Sequence, residues 1–199
     1  VANIGTDVNW CGHHFAQASV LLLGRYRSDI NLMIRCDQSG LFSIDQSTGN
    51  IRFLEKPDMD IRFMTAHASK GLQRDFVFLL CCSGGLKGFP STIPEEPLLG
   101  LLLPEVERCP HAEERRLFYV AMTRCKKKLF FIVDQTRPSR FMYELHSKIC
   151  PNIFRGVKLP PQCPNCGEAL SLRHNRNDPN RSFYGCTGFP NCRYTQQAK

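Results

Sequence analysis

The last forty residues cannot be held together by apolar packing, and the four cysteines among them dictate the alternative. Residues 160–199 carry few aliphatic side chains, five bases (Arg173, Arg176, Arg181, Arg193, Lys199) and two acids (Glu168, Asp178). A segment this short and polar withdraws too little surface from water to fold unaided. Cys163-Pro164-Asn165-Cys166-Gly167 supplies one thiol pair at C-x2-C spacing, and Cys186 and Cys192 supply a second at C-x5-C. Four thiolates complete the tetrahedral shell of Zn2+ and leave no open coordination position. A structural zinc on Cys163, Cys166, Cys186 and Cys192 is therefore predicted, against free thiols or a disulfide in a tail. His174 is a possible substitute ligand, with a solvent-facing role as the expectation.

The same segment interleaves bases with aromatics: Arg173, Arg176, Arg181, Phe183, Tyr184, Phe189, Arg193 and Tyr194. Cations follow a phosphate backbone and rings stack on bases, a combination suited to single-stranded DNA. Arg173, Tyr184 and Arg193 are the expected contacts. Phe183 and Phe189 are expected to form a miniature core, leaving Tyr184 and Tyr194 partly exposed.

The seven other cysteines, of eleven in all, are scattered through the chain, several inside apolar stretches. That is not a disulfide framework; it fits buried thiols in a reducing compartment, the cytoplasm. The formal net charge of +8 favours polyanionic partners, nucleic acid first. No apolar run approaches the ~18–20 residues of a membrane span. The chain opens Val1-Ala2-Asn3 with neither an initiator Met nor a signal peptide, and a fragment or processed piece is expected.

Residues 1–150 have a different texture. Ser19–Leu23, Ile61–Met64, Phe76–Cys82 and Lys128–Val133 are short apolar runs, read as strands buried on both faces. Helices are predicted after Ile30, over Ala112–Arg124 and over Ser139–Lys148, with weaker strands at 41–44 and 51–54. The Ala112–Arg124 helix has acids in its first turn and bases towards its end, matching the macrodipole. Strands alternating with helices mean an α/β fold, a mostly parallel sheet with flanking helices. Trp10, His13, His14 and Phe15 could cap a core edge, and residues 84–112 form a long loop. The expected organisation is a lobe over 1–150, a linker over 151–161 and a four-cysteine zinc ribbon over 162–199.

A nucleotide fold invites a search for G-x-x-x-x-G-K-[ST], and the chain has none; Gly84-Gly85-Leu86-Lys87-Gly88 lacks the spacing. No apolar strand ends in paired acids for Mg2+. Polar residues do gather at strand ends, at Arg25 and from Thr65 to Lys70.

Two resemblances organise these residues. Cys163-x2-Cys166-Gly167, Phe183-Tyr184-Gly185-Cys186, Phe189-Pro190 and Cys192-x-Tyr194 resemble the C-terminal zinc ribbon of bacterial type IA topoisomerases, which binds single-stranded DNA without catalysing. Leu21–Arg25, Met64–Gln73, Gly88-Phe89-Pro90 and Glu113–Arg124 resemble motifs IV, V and VI of UvrD/Rep-type superfamily 1 DNA helicases, the short insert being most similar to the helicase IV branch. The second resemblance implies that the sheet is RecA-like, the second such lobe of an ATP-dependent DNA helicase whose partner lobe, outside this chain, carries the phosphate loop and Mg2+ site. It implies that Arg25 and Arg124 reach the γ-phosphate of ATP, and that Gly71 and Gln73 lie at the nucleotide. Gln73 replaces a common Glu at the ribose. Thr65 and His67 are implied at single-stranded DNA, Lys70 and Gly71 in shaping the turn, and Tyr119 inside the motif VI interface. The chain alone would not hydrolyse ATP, and a bacterial cytoplasm or nucleoid is implied. A non-enzymatic DNA-binding module and a topoisomerase fragment are the competing readings.

Overall fold

The computed structural model describes residues 2–3, 18–93, 111–149, 159–175, 178 and 181–198. The expectations for Trp10, His13, His14 and Phe15, for most of the 84–112 loop, for Arg176, and for most of the linker lie outside these residues.

The strands of the lobe are β1 (Ala2–Asn3), β2 (Ser19–Gly24), β3 (Phe42–Ile44), β4 (Asn50–Phe53), β5 (Asp60–Thr65), β6 (Arg74–Leu79) and β7 (Cys125–Val133). Its helices are α1 (Ile30–Cys36), α2 (Ala112–Met122) and α3 (Arg140–Glu144), the last running into a π-helical turn at Leu145–Ile149. The seven strands form one sheet in the order β1-β7-β6-β2-β5-β4-β3. The central four, β7, β6, β2 and β5, are parallel; the β3–β4 hairpin and β1 add antiparallel edges. This is the mostly parallel α/β sheet expected from the apolar runs.

Those runs are unbroken because the sheet is covered on both faces. Leu21, Leu23, Val77, Leu79, Phe131 and Val133 point to one side. There they meet Leu117, Phe118 and Ala121 of α2 and Phe141 and Met142 of α3. Val20, Leu22, Ile61, Phe63 and Leu80 point to the other, against Ile30 and Ile51. Phe118 is the hub of the first side, with ring centroids 5.1 Å from Phe89, 5.1 Å from Phe141 and 6.0 Å from Phe131.

Several boundaries move. β6 stops at Leu79 because Cys81 takes a left-handed conformation, φ +57°, that no strand continues through. α2 ends at Met122 with no base in its last turn, so Arg124 lies beyond the helix and does not close it. Tyr119 is 65% exposed, not packed in the helix interface, because Leu117, Phe118 and Ala121 define the buried stripe and Tyr119 faces away from it. Cys82 is buried as expected, whereas Cys36 is exposed.

The C-terminal segment is a separate three-stranded antiparallel sheet of β8 (Leu170–His174), β9 (Ser182–Cys186) and β10 (Thr195–Gln197), in the order β10-β9-β8.

Replacing Phe118 by Ala empties the aromatic hub, and buried Phe→Ala changes cost about 3–5 kcal/mol. A denaturant titration of F118A should show a matching fall in midpoint with an unchanged slope.

Candidate metal centre and ligand-facing edges

Antiparallel pairing lets β9 bring Cys186 opposite Leu170 of β8. The turn at Cys163–Gly167 closes through the Gly167 N–H on the Cys163 carbonyl, 2.9 Å, and the Cys163 N–H on the Glu168 carbonyl, 2.7 Å. The four Sγ atoms then lie within 4.8 Å of one another, with Cys163–Cys192 at 3.8 Å and Cys166–Cys186 at 3.3 Å. A tetrahedron with metal–sulfur bonds of about 2.3 Å has edges of about 3.8 Å. A disulfide needs about 2.0 Å, so the array is a metal shell and not a pair of bridges.

Backbone N–H groups support the sulfurs. The Gly188 N–H points at Cys186 Sγ, 3.3 Å. Burial works against ionisation of Cys163, but the N–H groups of Cys166 and Asn165 outweigh it and hold the thiol below its ordinary range. Burial pushes Cys166 up to about 11 and raises Cys186 as well. A cation among them is what makes four thiolates tolerable together. His174 is exposed and meets the Ser182 hydroxyl at 3.2 Å, outside the cluster.

Arg173 and Phe183 are cross-strand partners, and so are Leu172 and Tyr184. Because sides alternate along a strand, Phe183 and Tyr184 face opposite ways. Arg173, Phe183, Phe189, Arg193 and Tyr194 line an open groove of about 460 Å³. Tyr184 is not among them and packs against Cys163, Leu170 and Cys186, a cluster that Tyr194 also touches from the groove. Phe189 is 60% exposed and builds no core, contrary to expectation. Leu170 and the cysteines occupy that role. The structure thus joins Arg173 to Arg193 but not to Tyr184, and adds Phe183, Phe189 and Tyr194 beside them.

In the lobe, β2 and β5 end side by side, Gly24 opposite Thr65, and the Ala66 N–H bonds the Gly24 carbonyl at 2.8 Å. Arg25, Thr65 and His67 therefore meet at the C-terminal edge of the parallel strands. Arg25 is held bidentately by Glu114 of α2, Nη2 to Oε1 at 2.6 Å and Nε to Oε1 at 2.9 Å. Glu114 also accepts the Ser91 N–H, 3.0 Å, and the Ser91 hydroxyl lies 2.7 Å from that of Tyr26. Burial lowers the basicity of His67, and the charges of Arg25 and Lys70 lower it further.

Gln73 and Arg124 occupy the opposite edge. Gly71, at φ +81°, turns the chain, and Gln73 precedes β6 as an exposed residue. Arg124 precedes β7, and its guanidinium donates to the carbonyls of Val120, 2.9 Å, and Leu72, 3.3 Å. The six residues of β2 span about 20 Å, and that length separates Arg25 from Arg124. The strands are parallel, Arg25 follows one and Arg124 precedes another, so the two arginines stand at opposite edges of the sheet. Glu114 falls within the Glu113–Arg124 motif, an acid visible in the first turn of α2, but its pairing with Arg25 and with Ser91 was not.

The fold and the site together define a mostly parallel α/β lobe joined to a small, zinc-ribbon-like unit with four clustered thiols. Residues 43–136 match the model of the UvrD-like helicase C-terminal domain, and residues 161–199 match that of the topoisomerase DNA binding C4 zinc finger. It is 44% identical over 86 residues to DNA helicase IV of Escherichia coli (strain K12), covering 43% of this chain and 13% of that protein. To the ATP-dependent DNA helicase Rep of Buchnera aphidicola subsp. Schizaphis graminum it is 35% identical over 105 residues, 48% of this chain and 14% of the relative. To the ATP-dependent DNA helicase PcrA of Leuconostoc citreum it is 31% identical over 113 residues, 52% and 14% respectively. The matched part is thus a small fraction of each relative's length. No solved structure matches the chain. Among the described residues no helix is long and apolar enough to cross a membrane.

Two measurements follow from the geometry. Metal analysis of the purified chain should find a single zinc ion, bound by the four-cysteine cluster, and Cys186→Ser should remove it together with the amide protection of β8–β10. His67 should titrate below the ordinary 6.5 in an NMR pH series, and Arg25→Ala should move its midpoint up, since a repelling charge is gone. The unfolded chain takes the proton first as pH falls below 6.5, so His67 detracts from stability on acidification and contributes nothing above that pH.

Proposed function

We propose that this chain is the second motor lobe and C-terminal ribbon of an ATP-dependent DNA helicase or translocase acting in a bacterial cytoplasm. The observation that carries the reading is the division of the motif residues between two edges of one parallel sheet. Arg124, Gln73 and Gly71 offer a nucleotide-facing edge to a partner lobe that holds ATP and Mg2+. A guanidinium there neutralises charge developing on the transferred phosphoryl group. Thr65 and His67, with Arg25 beside them, offer the opposite edge to single-stranded DNA. Arg25, paired with Glu114, would act on that side as a positioning group and not at the phosphate.

The ribbon is read as an extra DNA grip. Arg173 and Arg193 would track phosphates while Phe183, Phe189 and Tyr194 offer ring faces to bases. Tyr184 would support the ribbon from within.

Fluorescence anisotropy with labelled single-stranded DNA, at several salt concentrations, tests this on the full chain. Binding should weaken as salt rises, and Arg173→Ala and Arg193→Ala should each flatten the slope of log K against log salt by about one. Equal slopes in all three proteins would remove the ribbon from the DNA interface. The chain alone should show no ATP hydrolysis above buffer.

A further inference from the structure

The ribbon does not meet the lobe by tether alone. Leu159 packs against the lobe's main core, and the Tyr143 hydroxyl, itself buried, donates to the Pro160 carbonyl at 2.9 Å. Beyond them Glu168, only 8% exposed, extends from the first cysteine turn onto the lobe. A Cβ built on Gly84 would run into Oε2 of Glu168, and one built on Gly167 would lie 3.1 Å from Nη2 of Arg140. The receiving surface is itself pinned. The Gly84 N–H bonds the Arg137 carbonyl at 2.7 Å, the Ser139 N–H bonds the Cys82 carbonyl at 3.2 Å, and Ser83 bridges Pro138.

Glu168 is chemically two-handed. Its backbone N–H supports the Cys166 sulfur and its backbone carbonyl accepts the Cys163 N–H. Its carboxylate is buried against the lobe facing the charge of Arg140. Three polar atoms at this junction, Ser139 Oγ, Arg140 Nε and Glu168 Oε2, are buried without a partner among the described residues. Burying a carboxylate is expensive, and it persists only where the surrounding packing holds it. Glycine at 84 leaves the space for it.

We infer that the Cys163–Glu168 turn is a docking element seated on the Ser83–Gly84 and Pro138–Tyr143 surface of the lobe, so that metal binding in the ribbon is coupled to the order of α3. Metal fixes the turn, the turn presents Glu168, and Glu168 with Pro160 covers Arg140 and Tyr143. The ribbon's Arg173–Arg193 groove is thereby held at one orientation to the lobe. The inference stands whether or not that groove binds DNA.

Hydrogen–deuterium exchange on the full chain tests it, with zinc content measured in parallel. Chelating the zinc should speed exchange about tenfold or more not only in β8–β10 but also in residues 139–145 and 83–88. Gly84→Val alters only the lobe side and cannot touch the metal. It should keep its zinc, expose residues 139–145 in the loaded protein, and abolish the further change on chelation. If chelation leaves residues 139–145 and 83–88 of the native chain unchanged, or if G84V responds to chelation as the native chain does, the coupling is refuted.

Discussion

Four adjacent strands running the same way impose most of what this molecule can do. Each connection between parallel strands of one sheet must return from one edge to the other across a face. The stretch between β5 and β6 makes that return in eight residues, 66–73. It leaves the C-terminal edge with the Ala66 N–H on Gly24 and arrives at the other with the Leu72 carbonyl on Arg124. α2 makes a second crossing, from Glu114 beside Arg25 to the turn that carries Arg124. Two stiff elements therefore join the same two edges. A displacement at one edge has little freedom to stay local, because both crossings lie on a close-packed face. On the function proposed above, that geometry would let nucleotide on one edge be felt at the other.

The Arg25–Glu114 pair shows how the C-terminal edge is held. Both side chains are largely withdrawn from water, 18% and 14% exposed. Burial alone would lower the basicity of Arg25, and the carboxylate reverses that, so the guanidinium stays charged. Glu114 receives Arg25 and the Ser91 N–H together, and Ser91 reaches Tyr26, whose own N–H caps the buried Asp29 at 2.9 Å. Three separated stretches of chain, 25–29, 91 and 114, are joined through one carboxylate. Partners at this depth are far from a surface ion pair in consequence, since removing either leaves an uncompensated charge. An incoming anion at Arg25 would have to displace Glu114 first.

Strand identity was legible because burial on both faces writes unbroken apolar runs, and the thiol spacing announced its metal for an equally local reason. Ends of elements were less legible: Cys81 looks apolar enough to extend β6, but its left-handed backbone depends on where the next loop must go. Tyr119 illustrates the limit of motif reading, since its neighbours' stripe, and not its own chemistry, decides that it faces water. Phe183 and Tyr184 could have been sorted by counting. Cys186 faces the metal, so Tyr184, two residues earlier, shares its side and Phe183 does not. The separation of Arg25 from Arg124 needed topology, because proximity in a motif set says nothing about which edge each strand presents.

The ribbon inverts the usual relation between core and surface. Its innermost residues, Cys163, Leu170 and Cys186, are mostly metal ligands, and Tyr184 and Tyr194 lean on that shell in place of an apolar centre. A domain built this way has one strong interior contact and little else to define its shape. Removing the cation would leave four crowded sulfurs and nothing inside to replace the lost bonds. A second wall is then worth more than it would be to a larger domain, and the lobe provides one at Glu168, Pro160 and Leu159. The strands that carry Arg173 and Phe183 leave that wall and end in solvent, which keeps the groove open while its base is fixed.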